Sequence, residues 1–114
     1  MSYERAHALD PNSAFRAYYL AAIYNQLGRV GDAISLLENG PPHWRSVPEI
    51  RLWLALSYAL AGRKEQAAAE FTSLRALAPK FTVVIERQLY PGFFTPQFLD
   101  RITARSREYG IPEK

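Results

Sequence analysis

The chain has 114 residues, enough for one domain with a buried core, and a hydrophobic content of 48% argues against disorder. The absence of cysteine excludes disulfides, thiol nucleophiles and thiolate metal sites, and it favours a cytoplasmic location. The net charge of +3 is scattered along the sequence, and no apolar run approaches 18 residues, so we predict no nucleic-acid and no membrane partner.

Residues 1–12 are predicted to form a helix whose partner helix is missing. Their pattern matches that of residues 71–79, with the pairs Tyr3 and Phe71, Ala8 and Ala76, Leu9 and Leu77, and Pro11 and Pro79. A helix with an apolar face must bury that face against another element. We therefore expect the chain to be a piece of a longer protein, or this face to pair with another copy. A frayed capping helix is the simpler alternative.

The following segment, residues 13–46, is predicted to form a helix pair. Asn12 or Ser13 caps a first helix that runs to about Leu27. A second helix ends near Asn39, where a Gly-Pro-Pro sequence stops it.

Residues 47–80 are predicted to form a second helix pair. Ser46 and Glu49 have the spacing of a capping box, which predicts a helix that runs to about residue 60. The next helix is expected over residues 64–77, before a proline that stops it.

Residues 81–114 have a different pattern and are predicted to form a C-terminal capping unit. A short helix over residues 82–89 is expected to bury Phe81, Val84, Ile85 and Leu89. An aromatic turn follows at residues 90–94, and Thr95 caps a last helix that Gly110 ends. The apolar stripe of that helix consists of Phe98, Leu99, Ile102 and Tyr109.

A period of 34 residues relates the two helix pairs. The recurring residues are Leu20, Ala21, Tyr24, Gly28, Arg29 and Ala33, which return as Leu54, Ala55, Tyr58, Gly62, Arg63 and Ala67. Leu37 returns as Phe71. Small alanines let helices approach closely, tyrosine rings fill the wider gaps beside them, and the glycines end the first helix of each pair. Apart from the arginines and Leu37, we predict that these residues form the repeat core.

This pattern resembles the tetratricopeptide repeat, over about residues 1–80. The resemblance implies an all-α protein, with antiparallel helix pairs stacked in an α-α superhelix that binds a protein or peptide. The pattern departs from the family at Ala17 and Arg51, where a large aromatic residue is usual. Gly40 and Arg45 replace the closing alanine and proline of the first repeat, so a short second helix or an irregular link is expected there.

The tail has a narrower resemblance. The sequences Ala78-Pro79-Lys80-Phe81 and Tyr109-Gly110-Ile111-Pro112-Glu113 are similar to the end of the C-terminal tetratricopeptide region of bacterial nucleotide-cyclase-type signalling proteins. That similarity implies a regulatory, non-catalytic region of a signalling protein.

In this repeat family the first helices of the pairs line a concave groove. The positions of the present chain that would face it are Phe15, Tyr18, Ala22, Asn25, Glu49, Leu52, Leu56 and Ala59. Because this surface is largely apolar, it must be covered. Either the C-terminal helix lies in it, or an amphipathic helix of a partner binds there, and a displaceable tail would allow both.

The sequence offers little for catalysis. His7 and His43 are its only histidines, without the spacing of a zinc site. It contains no nucleophile elbow, phosphate loop or dinucleotide turn. We therefore predict a protein that is not an enzyme and uses no metal and no cofactor.

Two functions remain open from the sequence. The first is a protein–protein interaction module, with a regulatory or scaffolding role in a bacterial signalling protein. The second is a structural module that self-associates as a dimer.

Overall fold

The structure is a computed structural model of the chain, and it describes Glu4, residues 12–89 and residues 92–114. The predicted N-terminal helix therefore lies outside the described residues except for Glu4, which is helical. The pairing predicted for Tyr3 and the first two residues of the aromatic turn also lie outside them.

The described residues are helical, with short connections. In chain order the elements are α1 (Ala14–Gln26), α2 (Val30–Glu38), a 3-10 helix (Pro42–Ser46), α3 (Pro48–Leu60), α4 (Lys64–Leu77), α5 (Val83–Gln88) and α6 (Pro96–Glu108). No strand occurs in this part of the chain, which confirms the predicted all-α class. The caps predicted at Ser13 and Thr95 are also confirmed, because both side chains accept a hydrogen bond from a backbone N–H of the first turn.

The same tight turn joins α1 to α2 and α3 to α4. Gly28 and Gly62 have positive φ angles of 81° and 78°, in the left-handed region that favours glycine. The N–H of Arg29 donates to the Tyr24 carbonyl at 2.7 Å, and that of Arg63 donates to the Tyr58 carbonyl at 2.8 Å. These bonds satisfy carbonyl groups that the end of a helix leaves without partners. Two turns of equal geometry therefore lie 34 residues apart.

Helix α3 is the centre of the fold. It contacts α1, α2, α4, α6 and the 3-10 helix, and all seven residues from Leu52 to Tyr58 are buried. The largest fully buried side chains include Trp53 and Phe71, from α3 and α4. A helix that is apolar on all sides needs neighbours on all sides, and the remaining helices supply them.

The link between the two helix pairs is irregular, as expected. Helix α2 has only 9 residues, against 14 in α4, and the 3-10 helix follows it. The Trp44 ring lies directly against Gly40 and leaves no room for a Cβ there. The indole N–H of Trp44 donates to the Asn12 carbonyl at 3.1 Å. This contact connects the link to the start of α1.

The predicted capping box at Ser46 and Glu49 is wrong. Ser46 lies in the 3-10 helix, where its hydroxyl donates to the His43 carbonyl at 2.9 Å. Val47 is the cap of α3 and makes no side-chain hydrogen bond. Pro48 still favours a helix start here, since it has the φ angle of a helix and one N–H fewer to satisfy, and the Ile50 N–H donates to the Val47 carbonyl at 3.1 Å.

The face that α5 buries also differs from the prediction. Val84 and Ile85 are each 40% exposed, whereas Val83 and Glu86 are buried. The reason lies in the C-terminal residues, because the N–H groups of Val83 and Val84 donate to the carbonyls of Pro112 and Glu113. These bonds hold the chain end against the first turn of α5 and so determine which side of the helix faces inward.

Among the described residues, no helix is both long and apolar enough to cross a membrane.

Replacing Gly62 with alanine should lower the free energy of unfolding by about 1–2 kcal/mol, because the left-handed conformation strains a residue with a Cβ. Gly31→Ala is the matched control, since Gly31 lies inside α2 and also has open space around its Cβ position. The control should raise stability by about 0.5–1 kcal/mol. Urea unfolding of both variants measures the two free-energy changes. Equal changes would contradict the requirement for a left-handed residue at Gly62.

Candidate functional site

The eight residues predicted to face a groove lie on α1 and α3, which contact each other. Ala22, Asn25 and Leu56 are fully or almost fully buried, and Ala59 is partly buried. The Asn25 amide donates to the Ser57 hydroxyl at 2.8 Å, so this part of the predicted surface belongs to the contact between the two helices. The other four residues lie closer to the N-terminal ends of the helices.

These four residues mark a surface that we call the outer groove. Its cavity is lined by Pro48, Glu49, Leu52, Ala78, Phe81, Ile85 and Leu89. The charge of Glu49 acts on Tyr18, and the Phe15 ring contacts Tyr18 with centroids 5.6 Å apart. The cavity has a volume of about 200 Å³, and its lining joins Leu52 of α3 with Phe81, Ile85 and Leu89. Phe15 is 58% exposed, a large fraction for an aromatic ring in a folded domain. The structure therefore brings Leu52 and Glu49 together with α5, which sequence reasoning had not placed there.

Glu49 carries the only carboxylate among the residues that form the outer groove. Burial, then the negative charge of Glu49 and the neighbouring Tyr19, raise the pKa of Tyr18 to about 12. Tyr18 therefore stays neutral at physiological pH.

A second surface, which we call the inner groove, consists of Tyr19, Gln26 and Trp53. The aromatic turn and α6 already occupy it. The Phe93 ring meets Tyr19 edge-on, with centroids 5.7 Å apart, and Phe94 meets Trp53 at the same distance. The Phe98 ring is parallel to Trp53 at 6.5 Å. Rings in these arrangements attract each other in addition to the apolar area that they bury.

Gln26 connects the inner groove to the backbone of the turn. Its side-chain oxygen accepts from the Thr95 N–H at 2.9 Å, and its side-chain nitrogen donates to the Phe93 carbonyl at 3.5 Å. One amide thus satisfies a donor and an acceptor of a segment that has no secondary structure of its own.

Tyr19, Gln26 and Trp53 were not among the predicted site residues. The available signal was the period itself, because Tyr19 and Trp53 are aromatic residues 34 positions apart. They lie beside the predicted positions Tyr18 and Leu52, one residue further around each helix, where the sequence pattern alone does not separate a groove from the core.

Glu86 is a buried carboxyl group between α5 and α6, only 2% exposed. The Ser106 hydroxyl donates to its Oε1 at 2.9 Å, and its Oε2 has no partner among the described residues. Burial raises the pKa of Glu86 to about 7, against the opposing effects of the Ser106 hydrogen bond and of the positive charges of Arg107 and Arg87. A carboxyl group with this pKa changes its charge near neutral pH.

The remaining polar groups of interest lie beside the link, on a cavity of about 450 Å³. Tyr58 donates to Glu38 at 2.5 Å, and Arg51 pairs with Glu70 at 2.8 Å. These groups therefore satisfy one another. In the described part of the chain, no cluster of three or more His, Asp or Glu side chains is arranged to hold a metal ion.

Comparisons of this chain with protein-family models, curated proteins and solved structures give no match. Its function must therefore be argued from the two grooves themselves.

Replacing Gln26 with alanine should lower the free energy of unfolding by about 1–3 kcal/mol, because it leaves two backbone groups of the turn without partners. Gln97→Ala is the control, since Gln97 is exposed in the first turn of α6. Chemical unfolding should show at most about 0.5 kcal/mol for the control. Equal small effects of both changes would contradict the docking of the turn on Gln26.

Glu86 should make stability depend on pH. Its folded pKa of about 7 lies above the reference value of 4.5, so the folded state binds the proton more tightly. Its contribution to stability is therefore full below about pH 4.5 and is lost as the pH rises to about 7, a change of about 3 kcal/mol.

The Glu86→Gln variant should lack this contribution, because an amide does not titrate. The difference in unfolding free energy between parent and variant should thus change between pH 5 and pH 8, with the variant favoured at the higher pH. Parallel pH profiles of the two proteins would show that Glu86 keeps an ordinary pKa.

Proposed function

We propose that this chain is a tetratricopeptide-type interaction module that binds an apolar segment of another protein and does not catalyse a reaction. The 34-residue period and the two turns of equal geometry at Gly28 and Gly62 support the repeat assignment. In such an arrangement α1 and α3 are the first helices of two pairs and line the concave side of an α-α superhelix. A regulatory or scaffolding role in a bacterial signalling protein follows from the resemblance of the tail.

The observation that carries the proposal is the outer groove. The Phe15 ring is 58% exposed and contacts Tyr18, on which the charge of Glu49 acts, and Glu49 and Leu52 line an apolar cavity. Apolar surface of this kind, with a few polar groups at its edge, is typical of sites that accept the apolar face of a partner.

The negative charge of Glu49 indicates a second property of the partner segment, namely its charge. A carboxylate beside partly buried apolar groups favours a cation on the facing segment, and a charged group at the edge of a contact selects partners by complementarity. We therefore expect a segment with two or more large apolar residues and a nearby lysine or arginine. A helix with apolar residues at positions i, i+3 or i+4 fits this description.

Selection from a random peptide library on the immobilised full chain tests this proposal. Enriched peptides should combine large apolar residues with lysine or arginine, and the Phe15→Ala variant should bind them about tenfold more weakly, as expected for loss of an aromatic anchor. Glu49→Lys should select acidic peptides instead, because the change reverses the charge beside the groove.

Leu27→Ala is the matched control, because Leu27 is 66% exposed but lies outside the outer groove. It should leave peptide binding unchanged. Selected peptides that bind the Phe15→Ala and Glu49→Lys variants as well as they bind the parent would contradict the proposal. A dimer in sedimentation experiments that Phe15→Ala dissociates would instead favour the self-association module.

A further inference from the structure

The inner groove already holds a ligand, which is the C-terminal unit of the same chain. Its rings form a continuous series, in which Phe93 contacts Tyr19 and Phe94, and Phe94 in turn contacts Phe98 and Trp53. The neighbouring centroids in this series are 5.0–5.7 Å apart. The bound segment therefore has the pattern Phe-Phe-x-x-x-Phe, at residues 93–98.

The contact has the features of a recognition site as well as of a core. Trp53 supplies a flat aromatic surface. The side-chain amide of Gln26 forms two hydrogen bonds with the backbone of the turn, one as donor and one as acceptor. Neither group depends on the covalent connection between the turn and α5. A separate peptide with the same three rings and the same backbone would present the same groups to them.

The C-terminal unit also contains the contact between α5 and α6, and one group in that contact is unfavourable. Ser106 of α6 and Val83 of α5 are completely buried, and the Glu86 carboxyl group lies buried between the same two helices with one oxygen unpartnered in the described structure. A buried carboxylate without a full set of partners destabilises the contact that buries it. Docking of α6 therefore opposes the ionisation of Glu86.

We propose that the inner groove is a binding site for partner segments with the pattern Phe-Phe-x-x-x-Phe, and that the C-terminal unit is its resident occupant, released when Glu86 ionises. The proposal rests on the proposed function, because it assumes that this face of α1 and α3 binds segments of other proteins. It adds a second kind of partner segment, which carries three phenylalanines, and states that this segment can bind when the C-terminal unit is released.

The charged groups around Glu86 set the direction of the effect. Arg87 on α5 and Arg107 on α6 favour its ionised form. Asp100 on α6 pairs with Arg87, and Glu113 of the chain end pairs with Arg107. Each nearby arginine is thus partly neutralised by another carboxylate, and burial of Glu86 outweighs both of them.

The size of the effect follows from the two protonation equilibria. A carboxyl group with a pKa of about 7 when docked and 4.5 when released weakens docking as the pH rises. Between pH 6 and pH 8 the docking constant should fall about tenfold. A competing segment should gain apparent affinity by the same factor, because its site is available for a larger fraction of the time.

The test uses the full chain and a labelled synthetic peptide of residues 92–100, which contains all three phenylalanines but not Ser106. Because the peptide does not cover Glu86, its own binding carries no penalty from that group. Fluorescence anisotropy should give an affinity about tenfold higher at pH 8 than at pH 6. In the Glu86→Gln variant the affinity should be the same at both pH values and lower than that of the parent at pH 6, because a neutral amide corresponds to the fully protonated carboxyl group, and part of that group's contribution to docking is already lost in the parent at pH 6.

Two controls make the result specific. A peptide with alanine in place of Phe93, Phe94 and Phe98 should not bind, and the Phe93→Ala chain, whose own turn is weakened, should bind the natural peptide more tightly than the parent does. Equal binding of the two peptides, or failure of the natural peptide to bind the Phe93→Ala chain at pH 8, would overturn the proposal.

Hydrogen exchange supplies a second measurement that needs no peptide. After correction for intrinsic exchange rates, the protection of amides in α6 should fall about tenfold from pH 6 to pH 8 in the parent and should not change in Glu86→Gln. Identical profiles would overturn the role of Glu86. Peptides selected on the outer groove, measured alongside, distinguish this failure from failure of the proposed function, since their binding depends on Glu49, which lines the outer cavity and is not part of the inner groove.

Discussion

The indole of Trp53 is the point at which the separate parts of the chain meet. Trp53 belongs to α3, in which all residues from Leu52 to Tyr58 are buried. Other parts of the chain must therefore cover this stretch of the helix on every side. Helices α1, α2 and α4 cover three sides of α3. Phe94 and Phe98 lie against the remaining side at Trp53. The C-terminal unit thus completes the cover of α3.

This constraint explains why one face of α1 and α3 has two different properties. Toward the C-terminal ends of the helices, contact between Asn25 and Ser57 and the docked turn leave no open apolar surface at the predicted positions. Toward the N-terminal ends, Phe15 is 58% exposed, and the cavity that Leu52 and Ile85 line stays open. The molecule therefore has two candidate sites on α1 and α3, one open and one occupied by the C-terminal unit.

Much of the local structure could be predicted because it depends on neighbouring residues in the chain. Glycines at positive φ, caps at Ser13 and Thr95, and helix-stopping prolines act over a few residues and leave a direct sequence signal. The buried face of α5 could not be predicted in this way. It depends on hydrogen bonds from Val83 and Val84 to the chain end about thirty residues later, and no local pattern encodes them.

The central residues of the candidate site could likewise not be predicted from local sequence patterns. The period of 34 indicated which face of α1 and α3 to consider, but Tyr19 and Trp53 could be recognised as its central residues only once Phe93, Phe94 and Phe98 were placed against them. Glu86 is a similar case. In the sequence it is the acidic residue of a helix whose predicted buried residues include Val84 and Ile85, and its burial becomes apparent only when α6 is packed on that helix.

The central claim is that the C-terminal unit is docked on Trp53, and a double-mutant cycle between Trp53 and Phe98 tests it most directly. The variants Trp53→Leu and Phe98→Leu, alone and together, would be compared by urea unfolding. If the rings are in contact, the free energies of the single changes should fail to add by about 0.5–1.5 kcal/mol. Additive effects, within about 0.3 kcal/mol, would mean that the two rings do not meet and would contradict the docked arrangement.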